Sequence, residues 1–306
     1  MRLLLLLLLC GFPAAAELHE HPGSKDALPH DKYIRVVSET ESPVEQVYVK
    51  TKDGLYVAAA MRKPKGSGPF PALIYFHGAP GGRGMEQLVG WSRGATGSPV
   101  FERFLKEGYV VVISDYRGGM NMAGMLAPIE KDKISYVDDG LAVVDYVRSL
   151  AYVDKANVNV YGVSLGGNLI LHLIGRTRLH AAIVGAPAAM SFLGVPLPSP
   201  TADPNDRFKT VTVNEEMARR NIAPIETPML ILVGTADGLL NVDRALYDRL
   251  TKAGKSVRMD IYEHGYHDFC IGPQGQKRAE PLLDSTLAAL EVAVKFLKEP
   301  VSAAQR

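Results

Sequence analysis

The stretch from Asn157 to Asn168 restricts most strongly what this chain can fold into. It begins with alternating β-branched residues typical of a short strand, passes through Gly-Val-Ser-Leu-Gly, and continues into an apolar run typical of a helix. Gly162 and Gly166 have no Cβ, so the backbone can turn sharply and raise the hydroxyl of Ser164 above the strand end. The pattern predicts a nucleophilic serine. A serine that only caps the helix is the alternative, and partners for Ser164 elsewhere in the chain must decide between the two.

The rest of the chain alternates between unpatterned apolar runs and helical segments. Continuous apolar runs separated by helices are typical of a parallel sheet that is buried on both faces. The runs are Ala72–Phe76, Val110–Ile113, Val158–Tyr161, Ala182–Val184, Met229–Val233 and Met259–Tyr262. They predict an α/β fold with a mostly parallel, doubly wound sheet.

An antiparallel hairpin is predicted at the start of this fold. The runs 44–49 and 55–60 flank an Asp-Gly turn at Asp53. Helices are predicted from a Ser135 cap with Asp138 three residues later, over about 242–252, and over about 281–298. We expect one catalytic domain over residues 44–299, followed by a tail at 300–306.

The N-terminus has the features of an export signal. Met1 and Arg2 precede seven leucines and a small-residue end, which predicts a signal peptide over residues 1–16 that is cleaved near Ala16. The apolar run is too short to span a membrane as a helix, and lipidation at Cys10 is a weaker alternative because Leu9 is bulky. Residues 17–43 have no apolar period and predict a polar leader, in which three histidines are better explained by solvation than by metal binding.

Charge and cysteine content indicate which partners and crosslinks are not expected. The 306 residues carry 34 basic and 33 acidic side chains, and loss of residues 1–16 removes one basic and no acidic group. A balanced charge does not favour nucleic acid or an anionic membrane as partner. Only Cys270 would remain in an exported chain, so no internal disulfide is expected, and its apolar neighbours predict a buried thiol. No metal or cofactor is predicted.

Residues 188–222 interrupt the alternation of strands and helices. This segment contains several prolines and a short charged helix around Glu215–Arg220. Because it leaves the sheet on the side where Ser164 should emerge, we expect a lid over the site, with an ordinary surface loop as the alternative. Trp91 and residues 120–125 are also expected to contribute to the pocket.

Partners for Ser164 are sought after the other strands, since the carboxyl ends of parallel strands meet at one edge of the sheet. Asp237 follows the strand at 229–233, and His267 follows the strand at 257–262. An imidazole is needed to accept the serine proton, and a carboxylate is needed to hold that imidazole. The order Ser164, Asp237, His267 fits this arrangement.

Rival residues surround both partners. His264 competes with His267 but lies earlier in the loop, while Asp268 and Asp243 compete with Asp237. Asp243 opens a helix and is more simply a first-turn acid. Asp268 directly follows His267 and would have to fold back on it.

The oxyanion of an acyl-transfer reaction also needs two N–H donors. The residue after the nucleophile, Leu165, offers one. The second is expected from the loop after the first parallel strand, His77-Gly-Ala-Pro-Gly-Gly82, where either Gly78 or Ala79 can donate. Their small size would let the backbone approach a bound carbonyl group.

Together these motifs resemble the catalytic domain of the prolyl oligopeptidase family, in the α/β-hydrolase superfamily, over about residues 44–299. The similarity includes His-Gly-Ala-Pro at 77–80, Ser-Asp-Tyr-Arg-Gly at 114–118, Asp-Asp at 138–139, the serine turn, Gly-Thr-Ala-Asp at 234–237 and His-Asp-Phe at 267–269. The resemblance implies a serine hydrolase with Ser164, Asp237 and His267 as its triad, and a structural role for Asp115 and Arg117.

Two departures from that family weaken the prediction of a peptidase. Only about 27 residues lie between the signal and the hairpin, so no β-propeller is expected before the catalytic domain. Leu165 replaces the family's usual aromatic residue, as in small esterases and proteins similar to dienelactone hydrolase.

We predict an exported hydrolase of small acyl or peptide substrates, with a carboxylesterase as the alternative and a catalytically dead binding module as a third possibility. No nucleic acid partner and no stable membrane span are expected. A histidine base predicts activity that rises through about pH 6–7.

Overall fold

The computed structural model describes residues 34–36, 42–92, 99–118, 124, 129, 133–198, 208–272 and 280–300. The predicted signal peptide at 1–16, most of the leader, most of residues 120–125 and the tail after 300 lie outside these residues. Among the described residues, no helix has the length and apolar character needed to cross a membrane.

A nine-stranded sheet forms the centre of the described structure. The strands, in chain order, are β1 (Ile34–Val36), β2 (Glu45–Lys50), β3 (Tyr56–Arg62), β4 (Phe70–Phe76), β5 (Val110–Ser114), β6 (Val153–Val163), β7 (Ala181–Gly185), β8 (Met229–Gly234) and β9 (Val257–Tyr262). Their spatial order is β1-β2-β3-β5-β4-β6-β7-β8-β9. The first three strands are antiparallel, and β3 also pairs antiparallel with β5, whereas β5 to β9 run parallel. The predicted α/β fold, a mostly parallel sheet with an antiparallel hairpin at its start, is confirmed.

Helices cover both faces of this sheet. They are α1 (Met85–Ser92), α2 (Pro99–Lys106), α3 (Tyr136–Ser149), α4 (Leu165–Leu173), α5 (Met190–Leu193), α6 (Glu215–Ile222), α7 (Leu240–Lys252) and α8 (Glu280–Lys298), with a 3₁₀ turn at Phe269–Ile271. The capping box predicted for α3 is confirmed: the Ser135 hydroxyl accepts a bond from Val137 N–H, and Asp138 accepts one from Ser135 N–H.

The strands are apolar throughout because each face of the sheet packs against its own layer of helices. In β4, Ile74 points into a core shared with α3, α4 and α7, while Leu73 and Tyr75 point into a second core shared with α1, α2 and α8. All of β5 and β8 is buried. Each buried Val, Leu or Ile side chain contributes about 1.5–3 kcal/mol relative to exposure, so the two layers fix which strand ends meet at the site.

The strand order reverses around β4, which lies between β5 and β6. Such a reversal opens a crevice at the carboxyl edge of a parallel sheet, where the loops of neighbouring strands diverge. The loops that begin with His77, Asp115 and Ser164 follow β4, β5 and β6 and therefore surround this crevice.

Two elements differ from the sequence prediction. The strand β1 lies inside the segment predicted as a polar leader, and pairs Ile34 with Val47 on β2. Three residues are too few to show an alternating pattern. The strand β6 begins at Val153, five residues before the predicted run. The first half was missed because it is polar and partly exposed and so lacks the apolar pattern.

Candidate active site

Ser164 lies at a sharp turn between β6 and α4. Its φ is 56° and its ψ is −118°, a backbone conformation that is strained for any residue with a Cβ. Two backbone N–H groups, from Asn168 and Ala188, donate to its carbonyl oxygen at 3.0 and 2.9 Å. A Cβ on Gly166 would lie 2.0 Å from the Phe76 carbonyl oxygen, so the turn requires glycine there. The local structure therefore has the geometry of a nucleophile turn.

The Asp237 carboxylate contacts the His267 ring. Nδ1 of His267 lies 3.0 Å from Oδ2 and 3.2 Å from Oδ1 of Asp237. The Asp237 side chain is only 1% exposed, whereas His267 is 44% exposed. Asp237 is fixed further because its Oδ1 accepts the Leu239 N–H at 2.8 Å. A carboxylate held in this way orients the imidazole and leaves its outer nitrogen for a second partner.

The rival histidine is placed differently. The His264 side chain is 84% exposed and lies 3.6 Å from Glu263. Its ring is therefore not the one held by Asp237, and the structure favours His267 as the partner of that acid.

The rival acid Asp243 is a first-turn residue of α7, as predicted, but it is fully buried. Neither of its carboxyl oxygens has a hydrogen-bond partner among the described residues. Burial, with a further contribution from the nearby Asp237 carboxylate, raises the pKa of Asp243 well above its usual value. Burial thus favours the protonated, uncharged form of Asp243 beside the Asp237–His267 pair.

The loop after β4 closes over the serine. A Cβ on Gly78 would lie 3.5 Å from the Cβ of Ser164, which places the two backbones in near contact. Gly78 therefore lies beside Ser164, and Leu165 follows the serine as the first residue of α4. The two backbone segments on which oxyanion donors are expected thus both lie next to Ser164.

The Asp115 carboxylate holds residues 77–84 in place, the loop that is expected to supply the second oxyanion donor and is called the oxyanion loop below. It accepts hydrogen bonds from the N–H groups of Gly82, Gly84 and Tyr116 at 2.8–2.9 Å, and His77 Nε2 lies 3.0 Å from it. The side chain is completely buried. A buried carboxylate with several donors is well satisfied, so it fixes the loop that carries Gly78 and Ala79.

The loops after β4 and β5 also touch through their backbones. A Cβ on Gly81 would lie 2.4 Å from the Arg117 carbonyl oxygen.

The Arg117 guanidinium bonds to Asp139 at 2.6 Å and to Asp53 of the hairpin turn at 3.1 Å. Arg117 thus connects the first hairpin, α3 and the oxyanion loop. This network was not visible in the sequence, although its central motif at 114–118 was.

The predicted insertion at 188–222 packs into the core in its described parts. Phe192, Leu193 and Ile222 are buried, and Asn221 Nδ2 donates to the Phe192 carbonyl oxygen at 2.8 Å. The segment begins against the nucleophile, where Ala188 N–H bonds to Ser164. Residues 199–207 lie outside the described residues.

Two further predictions concern single residues. Cys270 is buried, as predicted, and burial raises the pKa of its thiol to about 12. Trp91, expected to line the pocket, is buried with its ring centroid 5.5 Å from that of His77. It therefore packs against the first residue of the oxyanion loop.

Two curated relatives match part of the chain. Quorum-quenching protein AidA of Acinetobacter baumannii (strain MDR-ZJ06) is 28% identical over 127 residues, which cover 42% of this chain and 38% of AidA. Cocaine esterase of Rhodococcus sp. (strain MB1 Bresler) is 28% identical over 144 residues, which cover 47% of this chain and 22% of the esterase. The chain spans less than half the length of either relative.

Solved structures share the fold over most of the chain. Acylaminoacyl peptidase of Pyrococcus horikoshii superposes with a TM-score of 0.58 at 17% identity, over 86% of this chain and 42% of the peptidase. Est1E of Butyrivibrio proteoclasticus superposes with a TM-score of 0.55 at 20% identity, over 83% of this chain and 99% of Est1E. At identities of 17% and 20%, these superpositions show that the fold is shared and nothing more.

The profile of the prolyl oligopeptidase family matches residues 100–287, a range that contains Ser164, Asp237 and His267. The match covers more than half of the chain. The chain therefore belongs to the prolyl oligopeptidase family.

Proposed function

We propose that this protein is an exported hydrolase that cleaves amide or ester bonds of small acyl or short-peptide substrates through an acyl-enzyme intermediate. The observation that carries the proposal is the pair formed by the buried Asp237 carboxylate and the His267 ring, 3.0 Å apart at the edge where Ser164 emerges. A histidine oriented by a buried acid is the general base that a serine nucleophile requires.

In the proposed mechanism, the Ser164 hydroxyl attacks the substrate carbonyl carbon while His267 takes its proton. The new C–O bond produces a tetrahedral oxyanion, which the N–H of Leu165 and an N–H of Gly78 or Ala79 stabilise. His267 then gives the proton to the leaving alcohol or amine as the scissile bond breaks. Water repeats the sequence on the acyl-enzyme and releases the acid. Asp237 holds the ring tautomer throughout and stabilises the imidazolium.

Carboxylesterase activity is the second candidate. One relative is named as a cocaine esterase. The fold superposes on both Est1E and the acylaminoacyl peptidase, so the shared fold is compatible with ester and with peptide substrates.

A comparison of two substrate series separates these candidates. Turnover of p-nitrophenyl acyl esters of increasing chain length would be measured beside turnover of Ala- and Pro-p-nitroanilides, with Ser164→Ala as control. We expect ester turnover that is lost in Ser164→Ala. Amide turnover at the level of that variant would reject the peptidase proposal and leave the esterase.

Export is part of the proposal and rests on the sequence of residues 1–16, whose short apolar run ends in small residues. N-terminal sequencing of protein secreted from a bacterial host should give a mature chain that begins at Glu17. A chain retained in the cytosol with Met1 intact would contradict it.

We also propose that residues 188–222 act as a lid. The support is that this segment begins in contact with the nucleophile, through Ala188, and continues over α4 and α7. Covalent phosphonylation of Ser164 should slow amide hydrogen exchange in this segment if it closes over the acyl group. Unchanged exchange would reject the lid.

A further inference from the structure

Residues 185–188, which follow β7 and are called the clasp segment below, bond to the backbone of Ser164 at both ends. The Ser164 N–H donates to the carbonyl oxygen of Gly185 at 2.9 Å. The Ser164 carbonyl oxygen accepts the N–H of Ala188, also at 2.9 Å. The position of the clasp segment therefore affects the backbone conformation of the serine.

Both sides of this contact have a strained backbone. The φ of Ser164 is 56°, and the φ of Ala186 in the clasp segment is 39°. Residues with a Cβ keep such conformations only where the surrounding structure enforces them. A Cβ on Gly167 would lie 2.9 Å from the Cα of Pro187, so the clasp segment packs directly against the first turn of α4. Groups that fix the clasp segment against α4 therefore also fix the conformation of Ser164.

A buried polar cluster lies beside this contact and consists of Asn168 on α4, Ser191 on α5 and Tyr136 on α3. Nδ2 of Asn168 donates to the Tyr136 hydroxyl at 2.8 Å and to the Ser191 hydroxyl at 2.9 Å. The Ser191 hydroxyl donates back to Oδ1 of Asn168 at 3.2 Å. Asn168 is completely buried, and the other two side chains are 2–3% exposed. Because a buried amide without partners is costly, these bonds fix the three helices relative to one another.

Asn168 closes a ring of contacts around Ser164. Its backbone N–H donates to the Ser164 carbonyl oxygen at 3.0 Å, as the first hydrogen bond of α4. Its side chain bonds to Ser191, which lies three residues after Ala188, the other donor to the same carbonyl oxygen. The ring therefore connects the nucleophile turn to the clasp segment through buried, hydrogen-bonded groups.

The cluster carries no charge at neutral pH. Burial raises the pKa of the Tyr136 hydroxyl to about 12, and neither an amide nor a serine hydroxyl ionises in this range. Its effect on Ser164 is therefore geometric.

We propose that Asn168, acting through Ser191, is a positioning residue that keeps Ser164 in the strained conformation from which its hydroxyl attacks. The inference rests on the proposed hydrolase function and adds the groups that prepare its nucleophile. Without the cluster, the substrate can still bind, but the serine hydroxyl is no longer aligned with the carbonyl carbon and with His267. The loss should therefore appear in kcat rather than in KM.

The test compares Asn168→Ala, Ser191→Ala and the double variant with the wild type. The matched control is Asn159→Ala, which removes an equally buried amide that donates to the carbonyl oxygen of Ala72 at 3.1 Å, at the other end of β6. Three quantities are measured for each protein. They are kcat and KM for p-nitrophenyl acetate, the rate constant for labelling of Ser164 by a fluorophosphonate, and the folded fraction from urea unfolding.

We expect Asn168→Ala to lower kcat per folded molecule by about tenfold to a hundredfold, because small displacements of reacting groups have effects of this size. The labelling rate should fall by a similar factor, while KM changes much less. Ser191→Ala should change kcat in the same direction. The double variant should lose no more than Asn168→Ala alone, since the two side chains act through one bond.

Two further readouts separate positioning from a loss of stability. The kcat of Asn168→Ala should rise over the same pH range as that of the wild type, because His267 is unchanged. Asn159→Ala should lose stability but keep the wild-type kcat and labelling rate per folded molecule.

The inference is overturned if Asn168→Ala and Ser191→Ala lose only stability and behave like Asn159→Ala in kcat and labelling. It is also overturned if the effects of the two changes multiply in the double variant, since the side chains would then act separately. If Asn168→Ala does not fold, Ser191→Ala decides by the same criteria, because it removes a single oxygen atom. A wild type that is neither labelled nor active would instead reject the hydrolase proposal, and this inference with it.

Discussion

Asp115 and Asp243 are both completely buried near the carboxyl edge of the sheet, on opposite sides of Ser164. Asp115 follows β5 and is surrounded by donors from the oxyanion loop. Asp243, in the first turn of the helix after β8, has none among the described residues and a pKa raised well above its usual value. The same type of side chain therefore organises a loop at position 115, whereas burial favours its protonated form at position 243. The number of nearby donors decides the difference, since burial is equal.

The largest effect is expected from Asp115→Asn. The amide keeps one acceptor oxygen but turns an NH₂ group toward donors, so the oxyanion loop loses part of its support. Misplacing one oxyanion donor costs about 10²–10³ in kcat. We expect a loss of kcat of this order for p-nitrophenyl acetate, with a smaller change in KM. Asp145→Asn, at an exposed position on α3, is the control. If Asp115→Asn keeps the wild-type kcat, Asp115 does not organise the oxyanion loop and the contrast with Asp243 is wrong.

Next in size is Arg117→Gln. This change leaves the Asp139 carboxyl, whose side chain is 1% exposed, without its guanidinium partner. Burial raises the pKa of Asp139, and the bonds from Arg117 oppose that shift. Breaking a buried pair from one side costs about 3 kcal/mol or more. Urea unfolding should show this loss, and adding Asp139→Asn should recover part of it. A double variant no more stable than Arg117→Gln would indicate that Arg117 acts through other contacts.

The smallest effect, and the one with opposite sign, is expected from Asp243→Asn. The pKa of Asp243 is higher in the folded than in the unfolded chain. Above about pH 4 the unfolded chain therefore releases a proton that the folded chain keeps, which favours unfolding more as the pH rises. Stability of the wild type should therefore fall as pH rises from 4 toward the folded-state pKa, by up to about 1.4 kcal/mol per pH unit. Asn has no proton to keep.

Thermal or urea unfolding of both proteins at pH 5 and pH 8 measures this difference. We expect Asp243→Asn to gain about 1 kcal/mol or more relative to wild type between these two values. Parallel pH profiles would show that Asp243 is ionised in the folded protein. Asp115 and Asp243 would then not differ in charge, and the contrast between the two buried acids would be wrong.

Sequence patterns predicted the strands well where the sheet is buried on both faces. The runs at 72–76 and 229–233 are apolar at every position because helices cover both sides, and both were found. The strand β1 and the first half of β6 were missed, because a short edge strand and a polar strand have no such pattern.

The types of the candidate site residues and their order along the chain could be predicted from the sequence. Asp237 and His267 follow consecutive strands, so the topology of the sheet brings them together. The environment of each acid was not predictable. The donors around Asp115 come from a loop about 30 residues earlier, and the first-turn position of Asp243 gave no sign of complete burial. Such differences depend on what folds against the side chain.

The measurement that tests the central claim most directly is covalent labelling of the protein with a fluorophosphonate, followed by peptide mass spectrometry. We predict a single adduct on the peptide that contains Ser164, strongly slowed labelling in His267→Ala, and no adduct in Ser164→Ala. Labelling of Ser164→Ala at the wild-type rate, or an adduct on a different residue, would contradict the assignment of Ser164 as the nucleophile.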